Sequence, residues 1–134
     1  LLAGGTGFGP VKAIVEHAFR QKSARPMALY WGARDRAGLY RHDLAEGWAA
    51  SHAAFRYVPV LSEPPDADGW QGRTGLVHRA LMADLPDLSG HQVYACGAPA
   101  MIEAARRDLI GHCGLKNEDF FADAFTFAAE SVSP

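Results

Sequence analysis

The sequence contains few cysteines, no long apolar run and almost no net charge, and each shortage excludes a class of protein. Two cysteines, Cys96 and Cys113, are too few for a disulfide framework or a four-thiolate metal site. The apolar stretches 28–31 and 93–96 are far shorter than the roughly 20 residues that a membrane span needs. A formal net charge of −2 supplies no positive excess to attract nucleic-acid phosphates. We therefore expect a reduced, cytoplasmic protein with no nucleic-acid partner and no membrane span.

Metal chemistry also lacks support in the sequence. The six histidines are scattered, and no pair has the spacing of a zinc motif or is framed by a cysteine pair. The C-x₄-C-x₂-C run that helps to hold a plant-type iron–sulfur cluster is absent as well. We predict no metal site in this chain.

The size and the first residues predict one domain of a longer protein. The 134 residues, 49% of them hydrophobic, suffice for a single globular core. A strand already ends at Ala3, and neither a Met nor a signal peptide precedes it. We expect the chain to be the C-terminal part of a longer protein.

Short apolar segments alternate with amphipathic ones along the chain. The expected strands are 1–3, 27–31, 56–61, 92–95 and 120–125. The expected helices are 11–21, 43–51, 76–85 and a fourth around Met101 to Leu109 that ends at Gly111 or Gly114. Strands buried on both faces and joined by helices favour a parallel sheet. The prediction is an α/β fold, with a doubly wound, Rossmann-like, five-stranded parallel sheet and helices on both faces.

The first turn after a strand is rich in glycine. Gly4, Gly5, Thr6 and Gly7 separate the first strand from a helix that Pro10 would open at its first position. Glycines let a backbone approach a ligand closely, and a helix N-terminus attracts an anion such as a pyrophosphate. The dinucleotide motif G-x-G-x-x-G is matched only loosely, so a turn imposed by strand-to-helix packing is an alternative.

Two further turns carry residues that could meet a ligand at the same edge of the sheet. Cys96 and Gly97 end the fourth predicted strand, although a free cysteine at such a place is more often a small buried hydrophobe. Arg34 and Asp35 follow the second strand, where they could contact a phosphate and a ribose hydroxyl or belong to a solvated loop.

The turns together resemble the pyridine-nucleotide domain of the ferredoxin–NADP reductase superfamily over nearly the whole chain. The nearest likeness is to NADH-dependent flavin reductases and to the reductase components of bacterial oxygenases and of deoxysugar synthesis. The motifs that carry the resemblance occur in order: Leu2-Ala3-Gly4-Gly5-Thr6-Gly7, Tyr30-Trp31-Gly32-Ala33-Arg34, Val60-Leu61-Ser62-Glu63-Pro64, Trp70-Gln71-Gly72-Arg73-Thr74-Gly75, Tyr94-Ala95-Cys96-Gly97-Ala98-Pro99 with Met101, and Phe121-Ala122-Asp123-Ala124-Phe125.

The resemblance implies a set of site residues. Thr6 and Cys96 would act beside the nicotinamide, where it stacks on a flavin, and Phe125, less favourably Phe127, would approach the flavin ring. The implied cofactor-binding residues are Gly4, Gly5, Thr6, Gly7, Pro10, Arg34, Asp35, Ser62, Glu63, Cys96, Gly97, Pro99, Met101 and Phe125. Family members that use NADPH usually carry Ser-Arg after the third strand. Glu63 stands where that arginine would be, so the resemblance favours NADH over NADPH.

The resemblance also implies parts that lie outside this chain. Residues 1–134 would be the NAD(P)-binding domain, preceded by a flavin-binding β-barrel that holds FAD and in some members accompanied by a [2Fe–2S] domain. The implied activity is hydride transfer from NADH to flavin, with electrons passed on to an acceptor protein or a small molecule. Two alternatives remain, a non-catalytic nucleotide-binding or interaction module with the same fold and an unrelated doubly wound enzyme.

Overall fold

A computed structural model describes residues 1–124, except for the side chain of Asp68. The strands are β1 (Leu2–Gly4), β2 (Met27–Ala33), β3 (Phe55–Leu61), β4 (Arg73–Thr74), β5 (Val93–Gly97) and β6 (Phe120–Ala124). The helices are α1 (Phe8–Arg20), α2 (His42–Ser51), α3 (Val77–Asp84) and α4 (Pro99–Cys113). Short 3-10 turns occupy Gly5–Gly7, Arg36–Gly38, Asp66–Asp68 and Asn117–Asp119.

The described strands form one parallel sheet in the order β4-β3-β2-β1-β5-β6. The chain runs outward from β1 to β4, then returns past β1 to β5 and β6. The order therefore reverses between β1 and β5, and a sheet of this kind binds ligands where its order reverses. The doubly wound prediction is confirmed.

The predicted count of five strands is wrong, because the sheet has six strands within residues 1–124 alone. The additional strand is β4, whose Arg73 and Thr74 pair with Val60 and Leu61 inside a segment that the sequence predicts as loop. Two residues are too few to show the alternation by which a strand is detected in a sequence.

Two helix boundaries also differ from the prediction. α1 begins at Phe8, so Pro10 occupies the third helical position instead of the first. The first-turn N–H groups of a helix have no intrahelical partner, so a proline is accommodated at either place. α4 begins at Pro99 and ends at Cys113, and Gly114 follows it with a φ of 71°, the left-handed conformation typical of a helix C-terminus.

The core has two layers, one on each face of the sheet. α1 and α2 cover a layer with four large aromatic members, Phe8, Trp31, Trp48 and Phe55. α3 and α4 cover the opposite layer, which is mainly aliphatic. Neighbouring residues of β2 alternate between the layers, with Leu29 and Trp31 on the first and Tyr30 on the second. Helices therefore cover both faces, as predicted.

Asp84, at the end of α3, ties that helix to three strands. Its carboxylate accepts a hydrogen bond from the Tyr30 hydroxyl at 2.6 Å, and two from Arg73 Nη1 at 2.8 Å. Arg56 Nη2 lies 3.2 Å away. The Tyr30 hydroxyl, together with Arg73, lowers the pKa of Asp84 below its ordinary value. Burial and the same hydrogen bond raise the pKa of Tyr30 to about 12.

We predict that Asp84→Asn lowers stability at pH 7 by about 1 to 2 kcal/mol, the usual worth of hydrogen bonds to a charged group. Because the folded-state pKa of Asp84 is lowered, its contribution is complete above the unfolded-state pKa of about 4 and disappears as the pH falls through the folded-state pKa. Urea unfolding at pH 7 and at pH 3 measures both values. The exposed Asp66→Asn serves as the control, and an equal loss from Asp84→Asn at both pH values would contradict the prediction.

Candidate functional site

Glycines line the place where the sheet order reverses, between the carboxyl ends of β1 and β5, and we call this place the crevice. A Cβ atom on Gly7 would overlap the backbone carbonyl of Cys96, and one on Gly4 would overlap the Met101 sulfur. A Cβ on Gly97 would lie 2.9 Å from the same sulfur. The contact at Gly7 requires glycine because the opposing atoms are backbone, whereas the Met101 side chain opposite Gly4 and Gly97 is flexible and can shift.

The turn after β1 presents backbone groups at the mouth of this crevice. Gly5–Gly7 forms a single 3-10 turn in which Gly5 has a φ of 53°, a conformation that favours glycine. The Thr6 side chain is exposed, and α1 follows directly at Phe8. A turn of this kind at the start of a 13-residue helix offers N–H groups and the positive end of the helix dipole to an anion.

Aromatic side chains of the core layer under α1 contact the Gly5–Gly7 turn and pack beside it. Trp31, which is 0% exposed, donates its indole N–H to the Gly5 carbonyl at 2.9 Å. Its ring stacks on Phe8 with centroids 4.1 Å apart, and Trp48 lies 5.6 Å from Phe8. Tyr40 meets the Phe8 and Trp31 rings edge-on. Trp31 appears in the motif that carries the family resemblance, but no local pattern predicts its contact with the turn.

Cys96 is buried in the layer beneath α1, with 4% of its surface exposed. Burial, followed by the charge of Asp123 on β6, raises the pKa of its thiol. The thiol is therefore protonated at neutral pH. It is small, neutral and polarisable, and it is not poised as a thiolate nucleophile.

The ends of β2 and β3 form a second, polar part of the same sheet edge. Backbone hydrogen bonds join Ser62 to Ala33 and Glu63 to Arg34, each at 2.9 Å. The Arg34 Nε atom lies 3.6 Å from the Glu63 carboxylate, and both side chains are more than two-thirds exposed. Asp35 instead accepts a hydrogen bond from the Gly38 backbone, so its carboxylate stabilises its own turn.

Arg36 and Trp70 lie near this edge and were not among the predicted site residues. The Arg36 guanidinium lies 5.0 Å from the centre of the Trp70 ring, and the Trp70 indole donates to the Arg73 carbonyl at 2.8 Å. The contact joins the loop after β2 to the loop before β4. Their pairing spans more than 30 residues, and no local pattern in the sequence indicates it.

The structure brings most of the predicted site residues to one edge of the sheet, at two places. The residues at the crevice are Gly4, Gly5, Thr6, Gly7, Cys96, Gly97, Pro99 and Met101. Arg34, Asp35, Ser62 and Glu63 follow β2 and β3. Pro10 lies within the first turn of α1. Phe125 and Phe127 lie outside the described residues.

A cavity of about 850 Å³ lies at the opposite edge of the sheet. Its lining includes Met27 and Ala28 at the start of β2, and Val93 and Tyr94 at the start of β5. Ligands of parallel sheets bind at the carboxyl ends of the strands, so this cavity is not the expected cofactor site.

The described residues contain no helix long and apolar enough to cross a membrane. Within residues 1–124, no three His, Cys, Asp or Glu side chains come together in a way that could hold a metal ion.

Comparison with known proteins connects this geometry to a family. The chain is 49% identical over 124 residues to the CDP-6-deoxy-L-threo-D-glycero-4-hexulose-3-dehydrase reductase of Yersinia pestis, an alignment that covers 92% of this chain and 36% of that protein. It is 39% identical to the NAD(P)H-flavin reductase of Aliivibrio fischeri, over 95% of this chain and 52% of that protein. The chain thus spans about a third to a half of the length of these relatives.

A solved structure gives the same result. The cytochrome P450 reductase of Amycolatopsis superposes with a TM-score of 0.84 at 33% identity, covering 95% of this chain and 37% of that one. The model of the oxidoreductase NAD-binding domain family matches residues 1–107. With the glycine-lined crevice at the reversal of the strand order, this match shows that the chain belongs to the oxidoreductase NAD-binding domain family, as the resemblance to ferredoxin–NADP reductases predicted.

Proposed function

We propose that this chain is the nucleotide-binding part of an NADH-dependent flavoprotein oxidoreductase. It would place the nicotinamide for hydride transfer to FAD, from which electrons pass to a ferredoxin-type centre, an oxygenase or free flavin. The observation that carries the proposal is the close approach of the turn after β1 to the end of β5, which a Cβ on Gly7 would obstruct, in a chain of this family. The relatives named above are reductases, which supports the same activity.

The residues of the crevice fit a dinucleotide. The backbone of Gly5–Gly7 and the start of α1 would hold the pyrophosphate, because both offer N–H groups at the positive end of a helix dipole. Thr6, Cys96 and Gly97 would border the nicotinamide, and Phe125 would face the flavin. The redox chemistry comes from the bound cofactors, since nicotinamide supplies a hydride that flavin accepts. The chain's own contribution is to hold one ring in position and to keep water away from it.

The polar part of the edge would hold the adenosine end, with Glu63 selecting NADH. Its carboxylate is exposed beside Arg34, at the end of β3. A carboxylate accepts hydrogen bonds from ribose hydroxyls and repels a 2′-phosphate, which favours NADH over NADPH.

We further propose that the chain is the C-terminal domain of a longer, cytoplasmic reductase, following a flavin-binding domain. The relatives support further sequence, because this chain spans only 36% of the Yersinia pestis reductase and 52% of the Aliivibrio fischeri reductase. A [2Fe–2S] domain would likewise lie on sequence outside this chain.

Calorimetric titration of this chain with NADH and with NADPH, at one fixed salt concentration, tests the proposal. We expect NADH to bind several-fold more tightly than NADPH. Tighter NADPH binding would contradict the role of Glu63 and preserve the family function. If neither binds, the longer protein is titrated and its flavin absorbance recorded. A longer protein without flavin would favour a non-catalytic nucleotide-binding module.

We predict that Cys96→Ala in the full-length reductase slows hydride transfer and changes NADH affinity by no more than a few-fold. The thiol is neutral and would border the reacting ring without holding the pyrophosphate. Rapid-mixing absorbance of flavin reduction measures the rate. Cys113→Ala is the matched control, because Cys113 is equally buried but lies at the far end of α4. An unchanged rate in Cys96→Ala would remove Cys96 from the site.

A further inference from the structure

We propose that Trp31 is a positioning residue for the cofactor pyrophosphate, acting through the peptide bond between Gly5 and Thr6. The inference rests on the proposed function, because the pyrophosphate is the ligand of that turn. It adds a residue that never touches the ligand but fixes the direction of a group that does.

A hydrogen bond from a fixed side chain holds the Gly5 carbonyl. The Trp31 indole N–H donates to the Gly5 carbonyl at 2.9 Å from a side chain that is completely buried. Trp31 lies on β2, in register with Ala3 of β1, so the sheet itself fixes the base of the indole. Stacking on Phe8 at 4.1 Å, with 13° between the ring planes, fixes its orientation.

The peptide bond between Gly5 and Thr6 links the direction of the Gly5 carbonyl to that of the Thr6 N–H. The described chain has no cis peptide bond, and in a planar trans peptide the C=O and the following N–H point in opposite directions. The indole draws the Gly5 carbonyl toward the buried layer. The Thr6 N–H therefore points away from Trp31, on the side where the Thr6 side chain is exposed. That is the side from which an anion can approach the turn.

Trp31 also opposes rotation of the Gly5–Thr6 peptide plane. Gly5 has a φ of 53°, and a glycine adopts positive and negative φ with similar ease. A rotation of the Gly5–Thr6 peptide plane would turn the carbonyl oxygen, with its negative partial charge, toward the anion site. The indole N–H opposes this rotation, because the rotated turn would leave a buried donor without its acceptor.

Trp48 provides a matched control within the same aromatic cluster. Its ring stacks on Phe8 at 5.6 Å, and it is almost as deeply buried as Trp31. It lies on α2, and its contacts with Phe8, Phe19 and Phe55 are made by its ring. Replacement of Trp48 by Phe removes a similar aromatic area and leaves the hydrogen bond to Gly5 intact.

The test compares Trp31→Phe with Trp48→Phe in this chain. Calorimetry with ADP, which contains a pyrophosphate, and with AMP, which does not, separates the two halves of the ligand. We expect Trp31→Phe to weaken ADP binding about five- to tenfold and AMP binding less than twofold. Trp48→Phe should change both less than twofold. Equal losses of ADP binding in the two variants would overturn the proposal.

A second measurement needs no ligand. Replacement of Trp31 alone by benzothienylalanine keeps the shape and stacking of the ring and removes only the N–H donor. We expect the backbone amide resonances of Gly5 and Thr6 to shift or broaden in the free protein, and those of α2 to stay unchanged. Unmoved resonances would overturn the positioning role. If the wild-type chain binds neither ADP nor NADH, titration of the longer protein tests the proposed function, and the amide resonances of this chain still test the role of Trp31.

Discussion

Replacement of Gly7 by alanine is expected to abolish measurable NADH binding by this chain and to lower its stability by about 3 kcal/mol. The added Cβ would overlap the backbone carbonyl of Cys96, and a backbone group within a parallel sheet cannot move aside as a flexible side chain can. Either the turn after β1 or the end of β5 must shift, and the crevice lies between these two elements. Loss of affinity and loss of stability therefore have one cause. Calorimetry with NADH and urea unfolding measure the two effects.

Two other glycines are the controls for this prediction. Gly9 stands two residues further on in α1, and a Cβ there meets nothing within 4 Å. Gly47 lies in α2 with equally open surroundings. Alanine at either helical position should raise stability by up to about 1 kcal/mol, because it favours helix more than glycine does. Gly47→Ala should also bind NADH like the wild type. A Gly7→Ala protein that binds NADH with wild-type affinity would show that the crevice does not hold the cofactor.

The alternation of strands and helices could be predicted from the apolar residues. Each main strand is a short apolar segment, and the apolar residues of each helix are spaced so that one side is buried. β4 could not be predicted from the same signal. Its residues Arg73 and Thr74 belong to the sheet because Val60 and Leu61 lie beside them and because Asp84 holds the Arg73 guanidinium. A partner distant in sequence thus makes a strand of a segment whose local composition favours a loop.

The candidate site was predictable where the backbone makes it and unpredictable where side chains of separate elements meet. Gly4, Gly7 and Gly97 are conspicuous in the sequence, and the backbone contact at Gly7 requires glycine. Trp31 acts through a carbonyl 26 residues away, and that contact depends on the register between β1 and β2. The sequence predicts that Cys96 lies at the end of a strand. Only the packing shows that its thiol is buried beneath α1 and kept neutral.

The replacement of Glu63 is expected to change which cofactor the protein prefers. Glu63→Gln removes one negative charge close to the proposed ribose site. Two unit charges 4 Å apart in water interact by about 1 kcal/mol, so NADPH affinity relative to NADH should rise about fivefold. Glu63→Arg, which reverses the charge, should raise this ratio several-fold further. The increase in this affinity ratio should become smaller in both variants as salt is added. The Glu63 side chain is 69% exposed, so salt screens its charge.

Arg34 is expected to determine how far Glu63→Gln raises NADPH affinity relative to NADH affinity. Its guanidinium lies 3.6 Å from the Glu63 carboxylate, so Glu63→Gln also releases a cation beside the site of the 2′-phosphate. We expect Arg34→Gln combined with Glu63→Gln to lose most of the gain in NADPH affinity, which a double-mutant cycle measures by titration of both cofactors.

Glu118→Gln, an exposed change just before the start of β6 at the opposite edge of the sheet, is the control for net charge. If Glu118→Gln raised the ratio as much as Glu63→Gln, the preference would arise from the overall charge of the domain. If neither changed it, the 2′ position of the ribose would lie elsewhere on the sheet edge, and the Arg36–Trp70 pair would be the next place to test.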